Sequence, residues 1–486
     1  MKRILSIILI SALLICALTV LPVSAYDVPL TVPKVYITTE AGNGTSLQKE
    51  DGYVNATVSI TDTGGYSLSD AVGFKVRGNS TALSFVQKKA FTFKFDKKKD
   101  VLGMGKAKKW ALLANAFDPT LMRNYIAFDL AHKMGLPYTS QQRIVELWVD
   151  DSYRGCYTLM EPIQKGDTRV DIDTASNGGL NDFMIELESS RAETDVTYFT
   201  VYGMRFAVSE PETPTQEQQD YISSTLRDII TLTHTGTREE IEQKIDIASF
   251  ARYYLLNELL KTVDFNFSSV FYFFKNGKLY AGPAWDYDLS SGNSNADYSA
   301  NAKAAASPTG VYAADKNIMK YLCDLDWFND EVISVFRQYY ADIRDITATD
   351  GVMDSLLSTY GDVFSRNYTD AGWSPSKWAI NVMKKPLSTY DDNVAYMRDW
   401  LDQRIKYLTD YFKQYLSGDA DADGDITILD ATRIQRYLAG FKTDIDLDAA
   451  DSNSDGIDIL DATVIQRYLA GLSCKYDIGV LAARPI

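Results

Sequence analysis

Two stretches of the chain, 72–77 and 90–95, carry apolar side chains on every second position: Val72, Phe74, Val76, then Phe91, Phe93, Phe95. A period of two predicts strands with one buried face. Residues 143–149 and 157–163 read as a hairpin around Asp150-Asp151-Ser152-Tyr153-Arg154-Gly155. Between these lies a helix signal: Asp118-Pro119-Thr120 precedes LMRNYIAFDLAHKMG, with proline at the first turn and Gly135 after the end. From Ser223 the spacing turns helical, through 247–263, and it recurs over 393–415. One late hairpin interrupts this half, 270–274 and 278–281 flanking Asn276-Gly277. The pattern predicts an α+β protein, strand-rich first and helix-rich later.

The C-terminal stretch repeats itself. ILDATRIQRYLAG (428–440) returns as ILDATVIQRYLAG (459–471), differing only at Arg433 against Val464, and each copy follows an acidic loop with a glycine. In the first loop Asp419, Asp421 and Asp423 fall at positions 1, 3 and 5, Gly424 at 6, Asp425 at 7, where a backbone carbonyl serves, and Asp430 at 12. Alternate oxygens aimed at one point suit Ca²⁺, which takes six to eight of them. The second loop offers Asp451, Asn453 and Asp455, but it is one residue shorter, so Asp461 aligns with Asp430 yet counts as position 11. Position 12 is Asp rather than the Glu of an EF-hand, and no helix pattern enters the second loop. This combination resembles a type I dockerin over about 418–472. The resemblance implies a small all-α domain, 417–486, of two calcium-loop–helix repeats (418–440 and 450–471), and as partner the cohesin of a scaffoldin, in an extracellular, cell-surface cellulosome.

Residues 1–25 carry Lys2 and Arg3, an apolar run and Val23-Ser24-Ala25, the signature of a cleaved export signal. No other stretch reaches membrane length, so a secreted chain without a membrane anchor is expected. Removing the signal leaves Cys156, Cys323 and Cys474, too few for a disulfide framework, so a packed core must hold the fold. The net charge of −16 argues against nucleic acid as a partner. With two isolated histidines, a histidine-based zinc site is disfavoured. No G-x-S-x-G elbow or Walker A loop occurs.

The region 26–416 contains one chemically loaded segment, 264–292. Its hairpin returns the chain on itself, so Asp264 can lie near Asp286 and Asp288, a general-base and Mg²⁺ arrangement. Aspartates bracketing a hairpin usually serve as caps or surface charges, and spacing alone favours that reading. An ordered set of pieces adds to this: Arg77-Gly78-Asn79-Ser80; Lys88-Lys89 before a strand; Asn115 to Asp118, then Met122-Arg123-Asn124; Gly155 to Glu161; Phe183 to Glu186; Gly282 to Asp288. Together these resemble the CotH kinase family. The resemblance implies an atypical, two-part kinase-like fold using ATP with Mg²⁺ or Mn²⁺ to phosphorylate Ser/Thr on a secreted protein substrate. It assigns Asp264 as the catalytic-loop aspartate and Asp286 as the metal ligand, helped by Asp288. Lys89 or Lys94 would contact phosphate, with Glu161 as acidic partner, and Arg77 would join the nucleotide site. The chain departs from the kinase pattern at Ser269, where a catalytic loop carries Asn. The alternative is a non-catalytic, CotH-like component that binds carbohydrate or protein in a polysaccharide-degrading complex.

Overall fold

The computed structural model describes residues 32–483 apart from 190–192, 194 and 195, so the expected export signal lies outside the described residues. Seven strands, β1 (Lys34–Thr39), β2 (Val54–Thr61), β3 (Ser67–Arg77), β4 (Ala90–Asp100), β5 (Lys106–Leu113), β6 (Gln142–Val149) and β7 (Ser152–Met160), close a barrel in the order β1-β2-β3-β4-β5-β7-β6. Neighbours run antiparallel except β1 and β6, whose parallel pairing closes the ring. The period of two puts Phe74, Phe91, Phe93, Phe95 and Trp110 inside, fully buried, with Phe74 stacked on Phe91 at 4.8 Å. The β6–β7 turn is tighter than expected. Only Asp150 and Asp151 form it, both left-handed (φ 47° and 61°), as a two-residue hairpin loop requires.

Beside the barrel stands a second sheet in the order β12-β11-β8-β10-β9, built from β8 (Phe183–Leu187), β9 (Tyr198–Val201), β10 (Met204–Glu210), β11 (Val270–Lys275) and β12 (Lys278–Ala281). Asn276 and Gly277 make the predicted β11–β12 turn, with φ 51° and 82°. Helices follow: α1 (Arg123–Lys133), α2 (Gln216–Thr235), α3 (Arg238–Lys244), α4 (Ile247–Leu260), α5 (Ala300–Ala306), α6 (Met319–Cys323), α7 (Asp326–Gln338), α8 (Tyr340–Asp345), α9 (Val352–Thr369) and α10 (Tyr390–Tyr411). Several boundaries differ from expectation: α2 starts at Gln216, before Ser223, α4 stops at Leu260, short of 263, and two more have a local cause. The first helix begins at Arg123, because Asp118 folds a tight turn, taking the N–H groups of Thr120 and Arg123 at 2.9 Å each, so Pro119 lies before the helix. The last helix stops at Tyr411; Lys413 turns left-handed and Gln414–Leu416 becomes a strand.

One buried ion pair pins α10 to α4. Arg404 and Glu258 are both fully buried and paired, and Glu258 also accepts the N–H groups of Tyr312 (2.9 Å) and Ala313 (2.6 Å). Arg404 donates further to the carbonyls of Pro308 and Gly310. A pair so deep is tolerable only when its remaining donors and acceptors are satisfied in this way.

The repeats form α11 (Ile428–Leu438), a short α12 (Leu447–Ala450) and α13 (Ile459–Leu469), packed on a small core of Ala431, Ile434, Ala462 and Ile465. This segment is not purely helical. Its end, β14 (Leu481–Ala483), pairs with β13 (Gln414–Leu416), clasping exit to entry and satisfying backbone groups at both ends.

Candidate functional site

β3 delivers Arg77 to the rim of a cleft of about 360 Å³ also lined by Glu186, Asp264, Ser269, Asp286 and Asp288. The chain then turns at Gly78 (φ 87°), where a Cβ would sit 2.2 Å from Thr81 Oγ1, so only glycine fits. Asp264 stands on a single 3₁₀ turn, Val263–Asn266, after α4. Its carbonyl accepts the N–H groups of Phe267 (2.9 Å) and Ser268 (3.0 Å). Backbone stitches bring the other acids alongside: Val263 N–H donates to Leu289 O at 3.2 Å, and Thr262 Oγ1 to Asp286 O at 3.3 Å. Asp286 itself is left-handed, with φ 66°, a strained conformation held by its surroundings.

A relay of buried amides fixes this loop to the barrel. Thr158 Oγ1 accepts from Asn115 Nδ2 (3.0 Å), Asn115 Oδ1 accepts from Asn124 Nδ2 (3.2 Å), and Asn124 Oδ1 accepts the Tyr287 N–H (2.8 Å). Asn293 Nδ2 donates to both Asp288 O and Phe117 O at 2.7 Å. Arg123 pairs with Asp118 at 2.5 Å and donates to Ser290 O at 2.9 Å, a positioning role behind the cleft.

The electrostatics are lopsided. Burial, then the charges of Asp286, Asp264 and Asp118, push the Asp288 carboxyl well above the usual carboxylate range. Acids that repel one another in a buried site fit a divalent cation, which relieves the repulsion and takes carboxylates with phosphate oxygens. Burial lowers Arg77 to about 10 against the opposing pull of Asp286. Its guanidinium lies over the Trp285 ring at 5.3 Å, and the buried Nη1 has no hydrogen-bond partner among the described residues. An unfilled guanidinium donor fits an anionic oxygen.

The structure thus brings Arg77, Asp264, Asp286 and Asp288 together, but not Lys89, Lys94 or Glu161. Lys89 turns back to the carbonyls of Ala82 (3.0 Å) and Leu83 (2.6 Å). Lys94 points outward from β4, exposed, because Phe93 and Phe95 take the inner face. Glu161 is buried against Arg169 and accepts the Gln141 N–H at 3.0 Å; burial raises its carboxyl to about 7. Glu186, Asn115 and Asn124 carry no assignment from sequence, although each sits in a quoted motif; polar side chains inside apolar runs are the signal. Ser269 Oγ donates to Asp286 Oδ2 at 3.1 Å.

The second site lies in the repeats. Asp419, Asp421 and Asp423 bring carboxylate oxygens within 4.8 Å of one another. Among the described residues Asp421 Oδ1 is buried with no hydrogen-bond partner, while Oδ2 receives Arg433 Nη2 at 3.2 Å. Asp419 is raised to about 7 by burial first, partly offset by the Gly424 N–H. Asp425 turns its carboxylate away to Arg344 of α8 at 2.6 Å. Asp430 and Asp461 play matching parts, each accepting the N–H of its helix cap, Thr427 (2.8 Å) and Asp458 (2.9 Å). The missing residue shows elsewhere: Asp430 Oδ1 takes the N–H of Asp421 at position 3, whereas Asp461 Oδ1 takes that of Ser452 at position 2. Asp451 Oδ2 accepts the Gly456 N–H at 2.9 Å, as Asp419 Oδ2 does from Gly424, and Asp455 N–H bonds Asn453 Oδ1 at 3.0 Å.

Fold and sites together define an α+β protein built around a carboxylate cleft, with an appended pair of acidic-loop helices. A family model described as CotH kinase protein matches residues 74–408, and one described as dockerin type I domain matches 417–471. The chain belongs to the CotH kinase protein family and ends in a type I dockerin. No curated protein matches it. The dockerin implies calcium binding and a cohesin partner, and such domains occur in extracellular cellulosome components. Among the described residues, no helix is long and apolar enough to cross a membrane.

Proposed function

We propose that the chain is an exported kinase, held to a scaffoldin's cohesin by its dockerin, that transfers the γ-phosphoryl group of ATP to a protein Ser/Thr hydroxyl. The carrying observation is the cleft itself: acids from two stitched segments face an arginine with an unfilled, buried donor. The barrel supplies Arg77 and the sheet-and-helix side supplies the acids, the division a kinase-like, two-part domain makes. Asp286 and Asp288 would hold Mg²⁺ or Mn²⁺, which neutralises charge on the phosphates when bound. Asp264 orients the acceptor hydroxyl and receives its proton as the acceptor oxygen bonds to phosphorus and the bond to the ADP oxygen breaks. Arg77 offers Nη1 to a phosphate oxygen. Lys89, Lys94 and Glu161 have no part in this arrangement.

Calorimetry of the chain with ATP and Mg²⁺ or Mn²⁺ tests it. Metal-dependent nucleotide binding, abolished by Asp286→Ala, is expected; a folded wild type that binds no nucleotide would sink it. The Ser269 hydroxyl on Asp286, where a kinase loop offers an amide, favours one other reading: a CotH-like component that binds carbohydrate or protein without catalysis. Polysaccharide pull-down independent of nucleotide would be its sign.

A further inference from the structure

The outer face of the barrel above the cleft is basic, in a chain of net charge −16. With Val72, Phe74 and Val76 buried, β3 turns Gly73, Lys75 and Arg77 outward. Register then sets the rows: Arg77 opposite Ala90, Lys75 opposite Thr92, Gly73 opposite Lys94, and Lys94 opposite Lys109. Arg77 lines the cleft, Lys75 lies one rung away, and Lys94 with Lys109 two rungs, roughly 13 Å. Lys49 flanks the strip, with Nζ at 2.5 Å from Oδ1 of the cleft residue Asn79 and 3.7 Å from Glu193.

Like charges directly across a strand pair destabilise it, yet Lys94 and Lys109 face each other. Among the described residues neither they nor Lys75 form an ion pair; Glu210 lies in the field of Lys109 without bonding to it. The Lys75 ammonium is lowered by burial first, then by Lys109, Lys49, Arg77 and Lys94 around it. What eases the crowding is one ring: Lys75 Nζ lies 4.6 Å and Lys94 Nζ 5.9 Å from the Tyr53 centroid. A Cβ at residue 73 would come within 3.0 Å of that ring, so Gly73 keeps room for it.

We infer that this strip docks an acidic polypeptide segment beside the acceptor hydroxyl. That the segment carries the acceptor hydroxyl rests on the kinase reading; the docking does not. Rungs about 6.6 Å apart match alternate side chains of an extended peptide, and the strip spans about four such residues. It runs unbroken into the cleft that holds Asp264. Single-stranded nucleic acid would need open aromatic faces for stacking, and the one ring here is overlain by two ammonium groups.

The test is fluorescence polarisation with the full chain and no nucleotide. The probes are a labelled peptide with Ser among Glu and Asp, the same peptide with Lys for the acids, a single-stranded oligonucleotide and a sulfated glycan. The acidic peptide is expected to bind best, weaken with salt, and lose about tenfold or more in affinity in Lys94→Glu/Lys109→Glu. Lys97→Glu/Lys98→Glu, an equal charge change on exposed lysines further along β4, should lose far less. Equal loss in both pairs, no preference for the acidic peptide, or tighter binding of the oligonucleotide or glycan would overturn the inference. Peptide binding that survives Asp286→Ala while nucleotide binding fails in wild type would refute only the kinase reading. Nucleotide binding without peptide binding would refute only the strip.

Discussion

Arg433→Val replaces the one residue that distinguishes 428–440 from 459–471. Arg433 Nη2 lies 3.2 Å from Asp421 Oδ2, and Nη1 donates to Asp444 O at 2.9 Å. Among the described residues Asp421 Oδ1 is buried without a hydrogen-bond partner, so it is the oxygen a calcium ion would take. A Ca²⁺ ion about 2.4 Å from that oxygen would stand roughly 5 Å from the guanidinium. In a dielectric near that of water the repulsion is about 1.7 kcal/mol, cut to on the order of 1 kcal/mol by salt and by the exposure of Arg433. Its removal should therefore tighten calcium about fivefold at the first loop. The assay is calcium titration by calorimetry, with both proteins carrying Asp451→Ala to silence the second loop. The converse, Val464→Arg, should weaken the second loop in chains whose first is silenced by Asp419→Ala. Unchanged or weaker calcium binding in Arg433→Val, at unaltered helical content, would refute the reasoning: the guanidinium would then be organising the loop by tying Asp421 to Asp444 instead of competing with the ion.

Arg344→Ala removes the ion pair to Asp425 but leaves Lys406 Nζ on Ala422 O (2.8 Å); limited proteolysis between 411 and 418 should quicken severalfold with little change in melting temperature, since an exposed pair is worth about 1 kcal/mol or less. An unchanged cleavage rate would show that the pair does not hold the junction. Burial lowers the Lys88 ammonium to about 7, against about 10.4 in an unfolded chain. The unfolded state then binds the extra proton between these values, so wild-type stability, measured relative to Lys88→Met, should rise by up to about 2 kcal/mol from pH 7 to pH 9. Melts of both proteins that shift in parallel with pH would exclude loss of the Lys88 proton on folding as the cause.

Local patterns were legible and long-range placement was not. Alternation announced β3 and β4, Asn276-Gly277 announced its hairpin, and the repeat announced α11 and α13, because each signal is complete within a few residues. The parallel β1–β6 closure links strands with no sequence sign of each other. The same limit governs the site. Asp264, Asp286 and Asp288 share a cleft because a hairpin returns the chain, which spacing reveals. Lys94 fails as a cleft residue because it sits two rungs from Arg77, a matter of register. Lys89 fails because its stem folds back on Ala82 and Leu83, and Glu161 because Arg169, eight residues on, claims it. A motif residue's partner is decided in three dimensions, so an ordered set of motifs can name residues that the fold then sets apart.

The junction makes the two calcium loops physically different objects. The first is a wall of the interface: Asp425 pairs with Arg344, Ala422 O takes Lys406, and a Cβ at Gly424 would meet Arg344 Nη1 at 2.9 Å. Between α10 and the repeats there is no loose tether; Ser417 N–H bonds Val480 O at 2.9 Å and Gly418 N–H bonds Ala449 O at 2.8 Å. Calcium that orders the first loop therefore orders the surface that Arg344 grips, and linkage requires the reverse by the same factor: docking against α8 and α10 must change calcium affinity at that loop. Among the described residues no ion pair joins the second loop to the CotH unit; the ion-paired contact is made by the first loop. Meanwhile α11 and α13 leave Ile428, Leu429, Ile459 and Leu460 more than half exposed, free for a cohesin. A cohesin that holds these helices consequently fixes the direction in which the Asp264 cleft faces, which a flexible linker could not do.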